Sequence, residues 1–462
     1  MVFKAGGGIA RPRTGVFALL TVGLLAACGQ DAPFDSPRFP FAANWRKSQA
    51  GAPVLLNNVA WWRRMKDPTL DALVARALTG NLDIAIARER IVNSQAALKA
   101  IPDAAIFSPS VSLQQQGGTG IATQRIGDGT LGLNWLLDPW GGRRSTLKSA
   151  AARIKQAEAE RDAAQLLVLS NLAGAYLDLR YRQQLLVQGL DDLRRRKQTL
   201  SLTNQRQDAG SATRTDTTRS AARVAEIESM IPGLQAAIEA KKNEIAVLVG
   251  VAPGQLGIDL GQARQPRPGV SPQMGIPADL LRNRPDIRVA EQSYYQALAN
   301  LGTARAALFP SLSLVGSISL QSAGSGKSAT QYAFGPTVNI PTLSKGGVEA
   351  RESEVRQAYT QWTQTVLSAI LEVENALLDY QAVTRSLSAA ERSVQLYREV
   401  RDQEQKVFTL GDATLSDLID ADADVARANA TLAEARYRQA LAYVSLNVRI
   451  GAGNSAGPGG TN

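Results

Sequence analysis

Asp417 and Asp420 lie three residues apart in a stretch of helical periodicity, which puts both carboxylates on one face. An equivalent stretch earlier in the chain carries Asp216 and, where the later one has Asp420, Arg219. Each group follows a glycine, Gly210 in the first case and Gly411 in the second. Acids so placed could bind cations or gather into a charged ring, where mutual repulsion would raise some of their pKa values. The same spacing suits acids that merely favour the positive end of a helix, and spacing alone does not separate the two readings.

Little other chemistry is open. The 462 residues include no histidine and a single cysteine, Cys28, which removes histidine or cysteine triads, histidine zinc sites and any internal disulfide. No nucleophile–base constellation remains, so a non-enzyme is expected, with no cofactor and no metal site. Gly326-Lys327-Ser328 imitates the end of a phosphate-binding loop. The full pattern needs glycine at position 321, where Gln321 stands, and a helix afterwards, where a strand pattern follows. The formal charge is +10, but Lys and Arg are interspersed with Glu and Asp, which reads as solvated helix faces rather than a nucleic-acid surface.

Cys28 belongs to a targeting segment. Lys4, Arg11 and Arg13 precede an apolar stretch, Val16 to Leu25, that is too short to span a bilayer. Leu25-Ala26-Ala27-Cys28 then resembles a bacterial lipobox, in which the cysteine is lipidated and becomes the mature N-terminus. An ordinary signal peptide with a chance cysteine is the alternative. From Gly29 to Ala60 there is no periodicity, as in an extended arm.

The acids near the glycines are positioned by long helices. Val348 to Ile450 holds no proline and one glycine, Gly411. From Val355 through Trp362, Val366, Ala369, Val373 and Tyr380 to Val394 and Tyr397, apolar residues recur at alternating spacings of 4 and 3. That period marks a left-handed supercoiled seam. After Gly411 the stripe returns at Leu418, Val425, Ala428, Leu432 and Ala435, which predicts a long antiparallel hairpin. Leu177-Asp178 matches Leu378-Asp379, Gly210 matches Gly411 and Gly250 matches Gly451, each offset by 201 residues, so a whole unit is duplicated.

Each hairpin is preceded by alternating segments. Ser110–Gln115 and Thr130–Leu137 read as strands; so do Leu312, Leu314, Gly316, Ile318 and Leu320 between serines, and Tyr332 to Ile340, interrupted by Pro336. Apolar-out, polar-in strands fit a transmembrane β-barrel, and equally a half-buried soluble sheet. Four strands cannot close a barrel, and an open edge cannot sit in lipid, so a membrane reading requires several chains in one barrel. The helical stripes are narrow and rich in alanine, which suits the wall of a hollow tube better than a solid bundle.

Taken together these stretches resemble a TolC-type outer-membrane factor, of the NodT/OprM-like lipoprotein branch that serves resistance-nodulation-division efflux pumps. The resemblance rests on Cys28 with its lipobox, Trp61-Trp62, Asp67-Pro68, Asn81-Leu82-Asp83 and Leu137-Asp138-Pro139-Trp140-Gly141. It rests most of all on the run from Ile276-Pro277-Ala278-Asp279 through Arg284-Pro285-Asp286 to Glu291, with Phe309-Pro310 beyond. It covers nearly the whole chain. The resemblance implies that Asp417, Asp420, Asp216 and Arg219 line the closed periplasmic entrance and that the tips at Gly210 and Gly411 meet partner proteins. Ala413 replaces the arginine that braces the closed tip in TolC.

The expected fold is mainly α: helical hairpins forming an α-barrel tunnel, capped by a transmembrane β-barrel with four strands per chain, in two repeats. The expected segments are a signal peptide at 1–27, a lipidated arm at 28–60 and a first repeat at 61–250, its β-hairpin near 108–137 and its helical hairpin near 143–250. An equatorial linker follows at 251–280, then a second repeat at 281–451, with hairpins near 311–340 and 346–450, and a disordered glycine-rich tail at 452–462. The expected function is a homotrimeric, lipid-anchored outer-membrane exit duct of a tripartite pump. It would pass drugs or other small toxic compounds, with a periplasmic adaptor and an inner-membrane pump as partners. A type I protein-secretion duct is the alternative of the same class, and a pore-less periplasmic coiled-coil lipoprotein the alternative of another.

Overall fold

The computed structural model describes residue 39 and residues 60–268, 283–323, 328–341, 345–410 and 414–452. Cys28, Gly411, Lys327 and the tail beyond Ala452 lie outside the described residues. Within them the chain is mainly helical with one antiparallel sheet, the coarse architecture its periodicities imply.

A 3-10 turn, Trp61–Met65, leads into α1 (Pro68–Gly80) and α2 (Leu82–Lys99). Two strands follow, β1 (Ala105–Gly118) and β2 (Ile121–Leu137), then the first long pair, α3 (Gly142–Asp208) and α4 (Arg214–Val249). The second series is α5 (Pro285–Ala306), β3 (Ser311–Ala323), β4 (Ser328–Asn339), α6 (Lys345–Leu410) and α7 (Leu415–Arg449). At its 67 residues α3 is about 100 Å long.

Helix starts follow local chemistry. The Asp67 carboxylate accepts from the main-chain N–H groups of Thr69 and Leu70, and Pro68 occupies the first helical position of α1. Its other oxygen accepts from the Tyr176 hydroxyl at 2.7 Å; burial of that phenol and this bond push the Tyr176 pKa up. Asn81 caps α2 through the N–H groups of Asp83 and Ile84 and donates to the Leu248 carbonyl, 2.8 Å away. Gly250 ends α4 with φ +89, and a Cβ there would sit 2.0 Å from the Gly80 carbonyl oxygen. Only glycine permits that approach.

The described residues fall into two compact units. One holds Ser94–Ile154 and Glu291–Thr360; the other lies within Phe39–Asn93, Lys155–Ala290 and Gln361–Asn462. Each therefore draws on both halves of the chain. The second unit contains the main core, where Trp61 is fully buried edge-on to Tyr443 and Tyr181 stacks on Tyr437 at 5.0 Å. Along the α6 seam Trp362, Val366, Ala369, Val373, Tyr380, Ala390 and Val394 are buried and Ala376, Val383 and Leu387 half-buried, while Tyr359 and Tyr397 are exposed.

The first unit contains the sheet, in linear order β1-β2-β3-β4, which leaves β1 and β4 as its edges. Both strands of the first hairpin extend further than the alternation alone suggested. Gly127 and Gly129 stand opposite Leu113 and Val111, so the hydrophobic signal lapses on β2 while backbone pairing continues. Pro336 is accommodated on an edge strand, opposite Leu314.

Candidate functional site: hairpin tips and an apolar sheet face

At the tips two threonines define the helix starts. Thr414 accepts from the Asp417 N–H at 3.3 Å, while the Asp417 carboxylate accepts from the Thr414 N–H at 3.0 Å and its hydroxyl at 2.6 Å. Thr213 and Asp216 repeat this reciprocal capping box on α4. The threonine hydroxyl and N–H hold both carboxyls below the usual aspartate range; Arg219 adds to the effect at Asp216. Within one chain these acids are thus stabilised in their charged form rather than pushed up by mutual repulsion. Asp417 and Asp216 have the capping geometry that spacing alone left open.

Asp420 is engaged differently. Its partner is Arg223, one turn beyond Arg219, with Nη2 3.2 Å from Oδ1, and this joins α4 of the first hairpin to α7 of the second. Arg219 itself lies with Asp216, Arg223, Thr414 and Ile419 around a cavity of about 240 Å³ between the tips. Gly210, with φ +76, makes the first turn, and a Cβ on it would meet nothing within 4 Å.

A second tier of charge lies further along the hairpins and was not singled out from the sequence. Arg196 bonds Asp192 at 3.0 Å, the Arg223 carbonyl at 3.1 Å and Glu226 at 3.3 Å. Asp422 faces Arg401 at 4.0 Å; burial raises its pKa, against the pull of Arg401 and Arg195. The run Arg194-Arg195-Arg196 and the alternate acids Asp420, Asp422 and Asp424 were the available signal.

Away from the tips, Arg284 immediately precedes α5 and gathers partners from distant parts of the chain. It is 6% exposed and forks onto Asp286 at 3.0 and 2.6 Å, reaches Glu372 at 2.7 Å, and donates to the Arg449 carbonyl at 2.7 Å. Burial opposes its charge, but the two carboxylates outweigh that and hold its pKa up. Asp162, 1% exposed, similarly takes Arg288 at 2.7 Å and Arg161 at 2.5 Å.

The sheet presents a different kind of surface. Its register places Phe107 opposite Leu133, Leu131 opposite Ile318, Trp135 opposite Leu314, and Ile318 opposite Tyr332, so the apolar residues of all four strands share one face. Val111, Leu113, Tyr332 and Phe334 on that face are strongly exposed, and Phe334 covers Gly316. The other face carries Ser108, Ser110, Ser112, Thr130, Asn134, Ser313, Ser317 and Ser319, with Ile106, Ile126, Leu136 and Val315 as apolar exceptions. Trp140 stacks on Phe309 at 4.6 Å and donates to the Pro310 carbonyl, just beyond the strand ends. No described helix is long and apolar enough to cross a membrane, and no metal-ligating cluster occurs among the described residues.

Known proteins carry the same combination of long hairpins and small sheet. The chain is 32% identical to a nodulation protein T of Rhizobium leguminosarum bv. trifolii over 93% of its own length and 95% of that protein. It is 27% identical to the pyoverdine export outer membrane protein OpmQ of Pseudomonas aeruginosa, covering 93% of this chain and 95% of that one. The solved outer-membrane channel OprN superposes with a TM-score of 0.78 at 27% identity, over 91% of this chain and 99% of that structure. The model of the outer membrane efflux protein family matches twice, at residues 73–251 and 276–452, spanning both helix–sheet–hairpin series, and the chain belongs to that family.

Proposed function

We propose that three copies of this outer-membrane efflux protein form one exit duct, each lending four strands to a twelve-stranded barrel and two helical hairpins to a periplasmic tunnel. The observation that carries this is the sheet: one face apolar and exposed, the other mostly polar, and both edge strands without a partner strand among the described residues. An open edge is costly in lipid, whereas pairing β1 of one copy with β4 of the next leaves no edge. The double match of one family model supports descent from a duplicated unit. The duct is passive. A periplasmic adaptor docks at the tips near Gly210 and Gly411, an inner-membrane pump supplies the energy, and small toxic compounds leave through the lumen. Lipidated Cys28 adds an anchor in the outer membrane.

At the entrance, Asp420 with Arg223, and Asp417, Asp216 and Arg219 beside them, form the constriction. Trimeric mass in detergent together with discrete single-channel conductance in planar bilayers tests the duct, and a monomer without conductance would refute it. Replacing Asp417 and Asp420 by alanine should raise conductance or weaken cation selectivity without preventing assembly; unchanged selectivity and multivalent-cation block would place the gate elsewhere.

A further inference from the structure

Among the described residues the four strands carry two formally charged side chains, Arg125 and Asp128, both on β2. The β1–β2 pairing runs without irregularity from Gln124 to Trp135, and the β2–β3 pairing from Ile126 to Leu137, so strand alternation assigns the two charges to opposite faces. Arg125 has the parity of Leu131, Leu133 and Trp135. Asp128 has that of Thr130, Gly132 and Asn134. In register it stands between Ser112 on β1 and Gln321 on β3, both neutral. Thr130 donates from Oγ1 to its Oδ2 at 3.0 Å, which orients the carboxylate along the polar face, and no ion pair reaches it among the described residues. Asp128 lies on the turn side of the apolar stretch Leu131–Leu137.

We propose that Asp128 sets the charge preference of the outer end of the duct, favouring cationic over anionic solutes. The inference rests on the assembly proposed above, in which three Asp128 carboxylates ring the lumen at one level. Among the described residues the rest of that face is serine, threonine, asparagine, glutamine and small residues with four apolar exceptions, and it offers no counter-charge. Low-dielectric protein and lipid behind it focus the field into the water-filled lumen. One ring of carboxylates in a neutral tube is sufficient for selectivity. Asp128 belongs to the compact unit that holds the sheet, and the acids of the helix tips belong to the other.

The test is a reversal potential of the full-length protein in a planar bilayer under a potassium chloride gradient. Asp128→Asn should lower the potassium-to-chloride permeability ratio roughly threefold, the weight of unit charges a few ångströms apart in water. Asp128→Ser, a second neutral variant, should do the same, and Asp128→Glu should keep the wild-type ratio. Hexaamminecobalt(III) should block the wild type from either compartment, and Asp128→Asn should lose the block from one compartment only. A wild-type ratio in both neutral variants overturns the inference while leaving the duct intact. If the wild-type protein conducts nothing, the duct reading falls and this one with it.

Discussion

Arg284 Nη1 donates to the main-chain carbonyl of Arg449, 2.7 Å away in the last turn of α7. Asn81 Nδ2 stands in the same relation to the Leu248 carbonyl in the last turn of α4. Leu248 and Arg449 are separated by the 201 residues that also separate Gly250 from Gly451. In both halves a side chain at a helix start therefore satisfies a carbonyl that the helix end leaves without an intrahelical partner. The second half uses a cation, which also suits the negative end of α7.

Removing that cation should be costly. Arg284→Ala would leave Glu372 and Asp286 without their buried partner, at about 3 kcal/mol, the lower end for a broken buried pair because both carboxylates are partly exposed. Arg284→Lys should recover little, since an ammonium cannot fork onto Asp286 and reach Glu372 and the carbonyl together. Denaturant midpoints of the detergent-solubilised protein measure both, and full rescue by lysine would reject the geometric argument.

Two glycines should behave unequally. Gly210→Ala pays only for a positive φ in open space, about 1–2 kcal/mol. Gly250→Ala adds a collision with the Gly80 carbonyl and should cost several kcal/mol or abolish assembly, on the scale of exceptional single substitutions. Equal loss of thermal stability in the two variants would show that the α4 end can move away from Gly80.

At the tips, Thr213→Ala and Thr414→Ala should each loosen a helix start by about 1 kcal/mol, read as faster hydrogen exchange in the first turns of α4 and α7. The carboxyls of Asp216 and Asp417 lie below their unfolded pKa in the folded chain. Their contribution is accordingly complete above the unfolded value and lost as pH falls through the folded one. Protection in these turns should be level at neutral pH and decline below about pH 4. Protection that instead rises as pH falls below about 6 would mean the carboxyls are raised in the assembly.

On the sheet, Leu314→Arg should cost about 2–4 kcal/mol if its face meets the bilayer midplane. Ser313→Arg, on the opposite face, should be tolerated better. Heat resistance of the assembled species on semi-native gels compares them, and equal sensitivity would indicate protein on both sides of the sheet.

Cys28→Ser should abolish palmitate labelling, because no other cysteine is available. Persistent labelling would rule out lipidation at this position.

Much of the architecture is written in local pattern. The alternating 4 and 3 spacing from Val355 to Tyr397 and the serine–leucine alternation around Leu314 are properties of consecutive residues, so they declare helix and strand without reference to anything distant. Helix starts at Asp67-Pro68 and Asn81 are equally local, since a cap is made within three residues. The absence of histidine and the solitary cysteine likewise removed histidine and cysteine triads and any internal disulfide from composition alone.

Partnership across the chain was decided only by the tertiary structure. Arg284 was one residue of a long motif until Glu372 and the Arg449 carbonyl, 88 and 165 residues away, were brought to it. Arg223 rather than Arg219 proved to meet Asp420, because the relative rotation of α4 and α7 selects which of two residues one turn apart faces the acid. Asp128 was one acid among many until register placed it on the serine face and Arg125 on the other. Periodicity is carried by the backbone geometry of each segment, whereas the partner of a charge depends on how segments pack, and packing is a property of the whole chain.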